Sequence, residues 1–159
     1  MLLFKKIIFI VSFLVSACGF SPIYTDQNSA KITRQISIQE PSTQDEFIFY
    51  SQLINRFNEN GNKYILSYAI STSKEDRALN LDGIIHRVEI AGSVIFSLKD
   101  SESGREILSD KEKVYLSYSN LGSTAAVLNA ERTTNKELVV LLANKVADRI
   151  SLIVVEDGS

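Results

Sequence analysis

The 159-residue chain predicts an α+β fold: two helices packed on one face of a four-stranded mixed sheet, in the order β-α-β-β-β-α. Three observations carry this. In four stretches apolar and polar residues alternate, the period of a half-buried strand. In two others apolar residues recur three and four apart, the period of a helix with one buried face. The first helical stretch lies between the first two strands, so that connection is a crossover and the pair is parallel, while hairpins alternate direction afterwards. Composition sets the outer limits. Hydrophobic residues make up 45% of the chain, enough for a core and against disorder. The 17 Lys+Arg against 19 Asp+Glu leave a net charge of −2, without the basic excess of a nucleic-acid binder. One Cys and one His exclude a disulfide framework and any zinc site built from several Cys or His.

The chain begins with an address. Lys5 and Lys6 form a positive start, and Ile7 to Ala17 follows without a charge. As a helix that run rises only about 16 Å, roughly half a bilayer's hydrocarbon core, so it reads as a signal peptide over residues 1–17 and not as a span. Ser16 and Ala17 before the sole cysteine resemble a bacterial lipobox, in which Cys18 is the lipidation site and becomes the acylated N-terminus; the alternative is an ordinary secretory signal. Several acyl chains on Cys18 suffice for stable anchoring. Gly19 rather than Asp in second place resembles the signal for onward transfer to the outer membrane. Losing residues 1–17, with two Lys and no acid, takes the net charge to −4. Residues 18–30, polar and containing Pro22, form a lipid-anchored tether, and residues 31–155 a single α+β domain.

Within that domain Ile32, Ile36 and Ile38 share a parity through Lys31–Gln39, the first strand, which Pro41 ends. Thr43-Gln44-Asp45-Glu46 is a capping box, with Glu46 folding back to the cap. Phe47, Tyr50, Leu53, Ile54 and Phe57 then follow at helical spacing, and Asn60-Gly61 supplies the stop. Ile48 and Phe49 lie off that stripe, either as a widened core contact or as a surface for another protein. Lys63–Ser71 alternates as the second strand, and Thr72–Asp82 reads as a polar loop. Ile84–Leu98 alternates again, Gly92 suggesting a bulge or bend in mid-strand. Lys99–Arg105 has the composition of a hairpin turn. Glu106–Tyr118 returns as the fourth strand, its Ser109–Lys113 part a solvated stretch or a bulge. The last helix runs from Thr124 to about Ile153 on a stripe of Leu128, Val139, Leu142, Ala143, Val146, Ile150 and Ile153. Val139–Leu142 is continuous enough to expect cover on more than one side, and Thr133-Thr134-Asn135, poor helix formers, suggest an irregularity.

No catalytic constellation is visible, so no enzyme, no cofactor and no metal are expected. His86 lies in the third strand without a nucleophile elbow elsewhere, and the acids have no metal-loop spacing.

Several segments together carry a family resemblance. Cys18-Gly19-Phe20-Ser21-Pro22-Ile23-Tyr24, then Ser117-Tyr118-Ser119-Asn120, Ala130-Glu131-Arg132 and Leu142–Ile150, in this order and over essentially the whole mature chain, resemble the LPS-assembly lipoprotein LptE family in its alphaproteobacterial form. Ile23, Ser21 and Thr133-Thr134 depart from the family's usual residues. The resemblance implies a non-enzymatic outer-membrane lipoprotein that assembles with, stabilises and plugs the LptD β-barrel. It also implies help in lipopolysaccharide transport to the outer leaflet, with the domain facing the periplasm or inside the barrel lumen. On that reading Ile48, Phe49, Tyr64 and Tyr68 would suit burial in a barrel. The alternative is an outer-membrane lipoprotein of similar fold that serves another envelope or secretion assembly. The expected topology also puts the Thr72–Asp82 loop, the end of strand four and the start of the last helix at one pole. Lys74, Arg77 and Arg132 are its cations and candidate contacts for lipid A phosphates; alternatively they are solubilising charges balanced by Glu75, Asp76 and Glu131.

Overall fold

In the computed structural model residues 35–57, 61–79 and 85–156 are described. The signal peptide, Cys18, the tether and the first residues of strand one lie outside them. The elements are β1 (Ile36–Ile38), α1 (Gln44–Arg56), β2 (Tyr64–Leu79), β3 (Ile85–Asp100), β4 (Glu106–Ser119) and α2 (Thr124–Glu156). The sheet order is β1-β2-β3-β4, with β1 parallel to β2 and the other pairs antiparallel. The expected fold class is therefore the one found. At the lower pole Gln35, Lys63 and the hairpin meet: Lys63 N–H donates to Gln35 O, and Ser101 N–H to Lys63 O. Asp100 closes that hairpin by accepting from the N–H groups of Glu102 and Ser103, and Gly104 takes the left-handed φ of 69°.

Helix α1 starts as expected but with different reciprocity. Thr43 Oγ1 accepts from the Glu46 N–H at 3.2 Å. The Glu46 carboxylate folds back as expected but accepts chiefly from Ser42, from its N–H at 2.7 Å and its hydroxyl at 2.6 Å, with the Thr43 N–H a lesser partner. Ser42 offers two donors where the Thr43 backbone offers one. Those bonds, the hydroxyl's first, hold the Glu46 carboxyl below its ordinary range. The helix ends at Arg56, with the Phe57 N–H closing on Leu53 O, well before the expected stop. Gly61 serves a different end: it passes so close to the backbone of Gln35 and Ile36 that a Cβ has no room.

The buried face of α1 keeps Leu53 and Phe57 of the expected stripe and widens to Phe49, the first of the two alternatives, while Phe47 leaves it. Phe49, Leu53 and Phe57, spaced four apart, are buried, Phe49 at 0% exposure, while Phe47 stands 62% exposed. Phe49 belongs to the core, as does Tyr68, whose ring lies 4.7 Å from that of Phe49 and whose hydroxyl donates to Gln39 O; Ile48 is half-buried against it. Tyr64 is half-buried on the same cluster. None of the four is an open surface for a barrel.

Strand β2 does not end at Ser71. It continues to Leu79, so most of the expected loop is strand: Thr72 pairs with Gly92, Ser73 with Ala91 and Lys74 with Ile90. Polar residues suffice there because the apolar payload of the hairpin sits on β3, and strand propensity yields to such context. Gly92 is neither bulge nor bend, since Thr72–Gly92–Val114 run in register across three strands. A side chain there would collide with Leu138, so glycine admits α2 close to the sheet. The irregularities lie elsewhere, between Asp76 and Leu79 and between Leu98 and Lys99.

Helix α2 runs without a break through Thr133-Thr134-Asn135. Leu138, Val139, Leu142, Ala143, Val146, Ala147 and Ile150 are buried, but Leu141 is exposed and Leu128 is 48% exposed, against expectation. For Leu128 the reason lies in α1, which reaches α2 only from about Asn135, whose Nδ2 donates to Asp45; Leu141 is simply on the side of α2 away from the core. Earlier residues of α2 have no second helix beside them among the described residues. That part of the helix packs on the core only through Val127 and Ala130, both half-buried.

Phe49→Ala should cost about 3–5 kcal/mol in urea unfolding, and Phe47→Ala within about 0.5 kcal/mol; equal costs would restore the stripe read from the sequence. Burial first, then the charges of Glu46 and Tyr50, push the Tyr68 hydroxyl up to about 12. The unfolded chain loses this proton first, so the contribution is whole below pH 10 and is lost as pH rises through about 12. Tyr68→Phe should flatten the alkaline limb of stability against pH in that window.

Candidate functional site

The upper pole forms as the topology requires: the ends of β2 and β4 and the start of α2 lie together. Its centre is a residue that the sequence reading treated only as a counter-charge. Glu131 receives the Lys74 ammonium on Oε1 and the Tyr118 hydroxyl on Oε2, the latter at 3.2 Å. Lys74 comes from β2 and Tyr118 from β4, so one helix carboxylate ties both strands across β3. The Lys74 bond first, with Tyr118 and the Arg132 charge adding to it, holds the Glu131 carboxyl below its ordinary range, and Lys74 is raised in turn. Arg132 is exposed on the next helix position. Arg77 is the extra residue of a β-bulge between Asp76 and Ala78, and its side chain lies outside the described residues, as does that of His86. Of the three cations chosen from sequence, Lys74 is thus engaged by Glu131, and Arg132 sits beside the same carboxylate.

A second row of ion pairs fastens the lower half of α2. Lys145 reaches Glu112 and Arg149 reaches Asp110, both at 3.0 Å, while Arg56 of α1 meets Asp148 at 2.7 Å. The charged Ser109–Lys113 stretch is therefore regular strand, neither bulge nor wholly solvated: its acids turn toward the helix and its lysines away. Each pair is solvent-exposed, so together they steer the helix more than they stabilise the fold.

The other face of the sheet is bare among the described residues. Its rows read Ser67–Ser97–Ser109, Ala69–Ile95–Lys111, Ser71–Ser93–Lys113 and Ser73–Ala91–Tyr115. Sixteen-residue strands give this face a length of about 50 Å. Small side chains make it smooth, with Ile65, Ile95 and Tyr115 exposed on it and Lys111 and Lys113 along its β4 border. Sequence reading missed it, although the serines recur at odd positions through three strands. Among the described residues no group of His, Cys, Asp and Glu could hold a metal ion. No described helix is long and apolar enough to cross a membrane.

Glu131→Gln should loosen the start of α2 and flatten the acid limb of stability. A carboxyl held low in the fold stabilises above its ordinary value of 4.5 and loses that as pH falls through the lowered value. Unfolding midpoints of both proteins between pH 7 and pH 3 check this; parallel curves would show that Glu131 clamps nothing.

Solved structures share this fold. A candidate lipoprotein from Caulobacter crescentus aligns with TM-score 0.65 at 17% identity, over 81% of this chain and 96% of that one. Rare lipoprotein B from Shewanella oneidensis gives 0.62 at 15%, over 79% and 98%. A minor lipoprotein from Acinetobacter baumannii gives 0.56 at 18%, over 76% and 92%. Identities this low establish likeness of fold. No family model and no curated protein matches the sequence.

Proposed function

We propose that this chain is an LptE-type lipoprotein, of the alphaproteobacterial form its opening residues resemble. On this reading it is anchored to the outer membrane through Cys18 and is not an enzyme. It assembles with an LptD-like β-barrel and assists lipopolysaccharide transport to the outer leaflet. The observation that carries the reading is the β-α-β-β-β-α fold, held in common with several lipoproteins, on a chain whose only cysteine follows a short apolar stretch. The smooth, serine-rich sheet face supports it, since a long surface of small side chains can lie against a wall without gaps. On this reading Arg77 and Arg132 are the candidate partners for lipopolysaccharide phosphates at the upper pole, Lys74 being already paired with Glu131.

A C-terminally tagged full chain, drawn from outer membranes in mild detergent, should bring down one large β-barrel in stoichiometric amount. Recovery alone, or with a different envelope complex, would overturn the assembly role. Joint charge reversal, Arg77→Glu with Arg132→Glu, should weaken lipopolysaccharide retention about tenfold or more, the scale of one lost charge-assisted bond. Unchanged retention would remove these arginines from the site.

A further inference from the structure

The two free edges of the sheet are unlike. β4 carries Asp110-Lys111-Glu112-Lys113 in mid-strand, and charge on an edge discourages the addition of another strand. β2 carries Tyr68-Ala69-Ile70-Ser71-Thr72-Ser73, six residues without a charge. Among the described residues β1 covers only Tyr64–Leu66 of that edge. The last bond along it is Gln39 N–H to Leu66 O, just as Tyr64 N–H donates to Gln35 O. Even-numbered residues of β2 therefore aim their backbone groups outward, because direction alternates along a strand. Ile70 and Thr72 present their N–H and C=O groups there with no described strand beside them. Natural sheets rarely leave so long an uncharged edge open without a use for it.

The same edge has a pocket beside it. A cleft of about 370 Å³ opens between the first turn of α1 and β2, lined by Thr43, Gln44, Asp45, Glu46, Ile70 and Thr72. Two of these are carboxylates and none is a cation. The positive end of α1 offsets only about half a charge, so the cleft stays negative. A strand laid on this edge sends alternate side chains over Ile70 and Thr72 into the cleft, where a basic one meets Asp45 and Glu46.

We propose that the β2 edge from Tyr68 to Lys74 receives an added strand from a partner protein: an extended, otherwise uncharged segment with one Lys or Arg that enters the cleft beside Asp45 and Glu46. Backbone bonds supply the affinity and the single cation the selectivity, as in other cases of strand addition. The inference stands whether or not the assembly role proposed above is correct.

The full chain in detergent is mixed with either of two short synthetic peptides of alternating Thr and Val, one with a central Lys and one with a central Glu. Backbone amide exchange is then followed. The Lys peptide should slow the Ile70 and Thr72 amides about tenfold or more while the Glu peptide leaves them unchanged. Thr72→Pro removes an outward N–H but no bond to β3, and should abolish the effect with β3 and β4 still protected. Should that variant fail to fold, Asp45→Lys serves: it should turn the preference toward the Glu peptide. The proposal fails if neither peptide slows these amides, if both do so equally, or if protection appears on β4 instead. It fails too if protection grows with protein concentration alone, which would mean a second copy on the edge. Amides already slow without peptide and released on deletion of residues 18–34 would mean that the chain's own segment occupies the edge, and would equally overturn it.

Discussion

How near α2 can come to β3 decides the packing of the whole helix side of the sheet. Gly92 lies in mid-strand with Leu138 and Leu142 directly over it, and a single methyl there would force the Leu138 side chain out of its place between helix and sheet. The approach lets Val94, Phe96 and Leu98 on β3 share one continuous core with Val139, Val146 and Ile150 on α2. It also brings Glu131, Lys145 and Arg149 within reach of partners on the strands. Polar ties of this sort are short-range, and a helix lifted by a few ångströms would lose them together. The apolar contact sets the distance, and the ion pairs fix where along the sheet the helix stands.

Layering is strongly one-sided. Helices cover the even-numbered positions of the strands, while the odd-numbered positions carry serine, alanine and a border of lysine. Cover also thins with height: β1 has three residues and α1 thirteen, against strands of fourteen to sixteen, so the upper half of the sheet rests on α2 alone. Such a layout offers long surfaces and edges rather than an enclosed pocket of converging polar groups. In the envelope role we propose, it would let one rigid unit touch a wall on one side and a mobile ligand at one end.

Much of this was legible in the sequence, and the misreadings have identifiable causes. Strand alternation through Tyr64–Ile70 and Ile84–Leu98, the Thr43 cap and the Lys99–Arg105 hairpin all rest on local patterns, and local patterns survive folding. On α1 Leu53 and Phe57 were placed correctly but Phe47 was not, because Phe47 to Tyr50 is an apolar and aromatic run in which any helical line finds a hydrophobic residue; only the packing of Phe49 on Tyr68 chooses among them. Thr72–Leu79 read as a loop because its residues are polar, whereas its strand character comes from β3 across the sheet. Gly92 read as a bulge because the collision it avoids involves a helix some forty-six residues later, beyond the horizon of any local rule. The role of Glu131 was hidden for the same reason: its partners lie at positions 74 and 118.

The order of elements along the chain has a consequence for how the molecule is made. β2, β3 and β4 are joined by hairpins and can pair as soon as residue 119 is available, since hairpins form quickly. At that moment Ile90, Val94, Phe96 and Val114 have nothing over them, because their cover is Leu138 to Ile150 of the final element. A nascent chain therefore passes through a stage with an assembled sheet and an open apolar face, and it leaves that stage only when its last forty residues arrive. Exposed sheet at that stage is prone to aggregation. On the opposite face serines and lysines dilute Ile65, Ile95 and Tyr115, so the stickiest side of the waiting sheet is the one α2 will close.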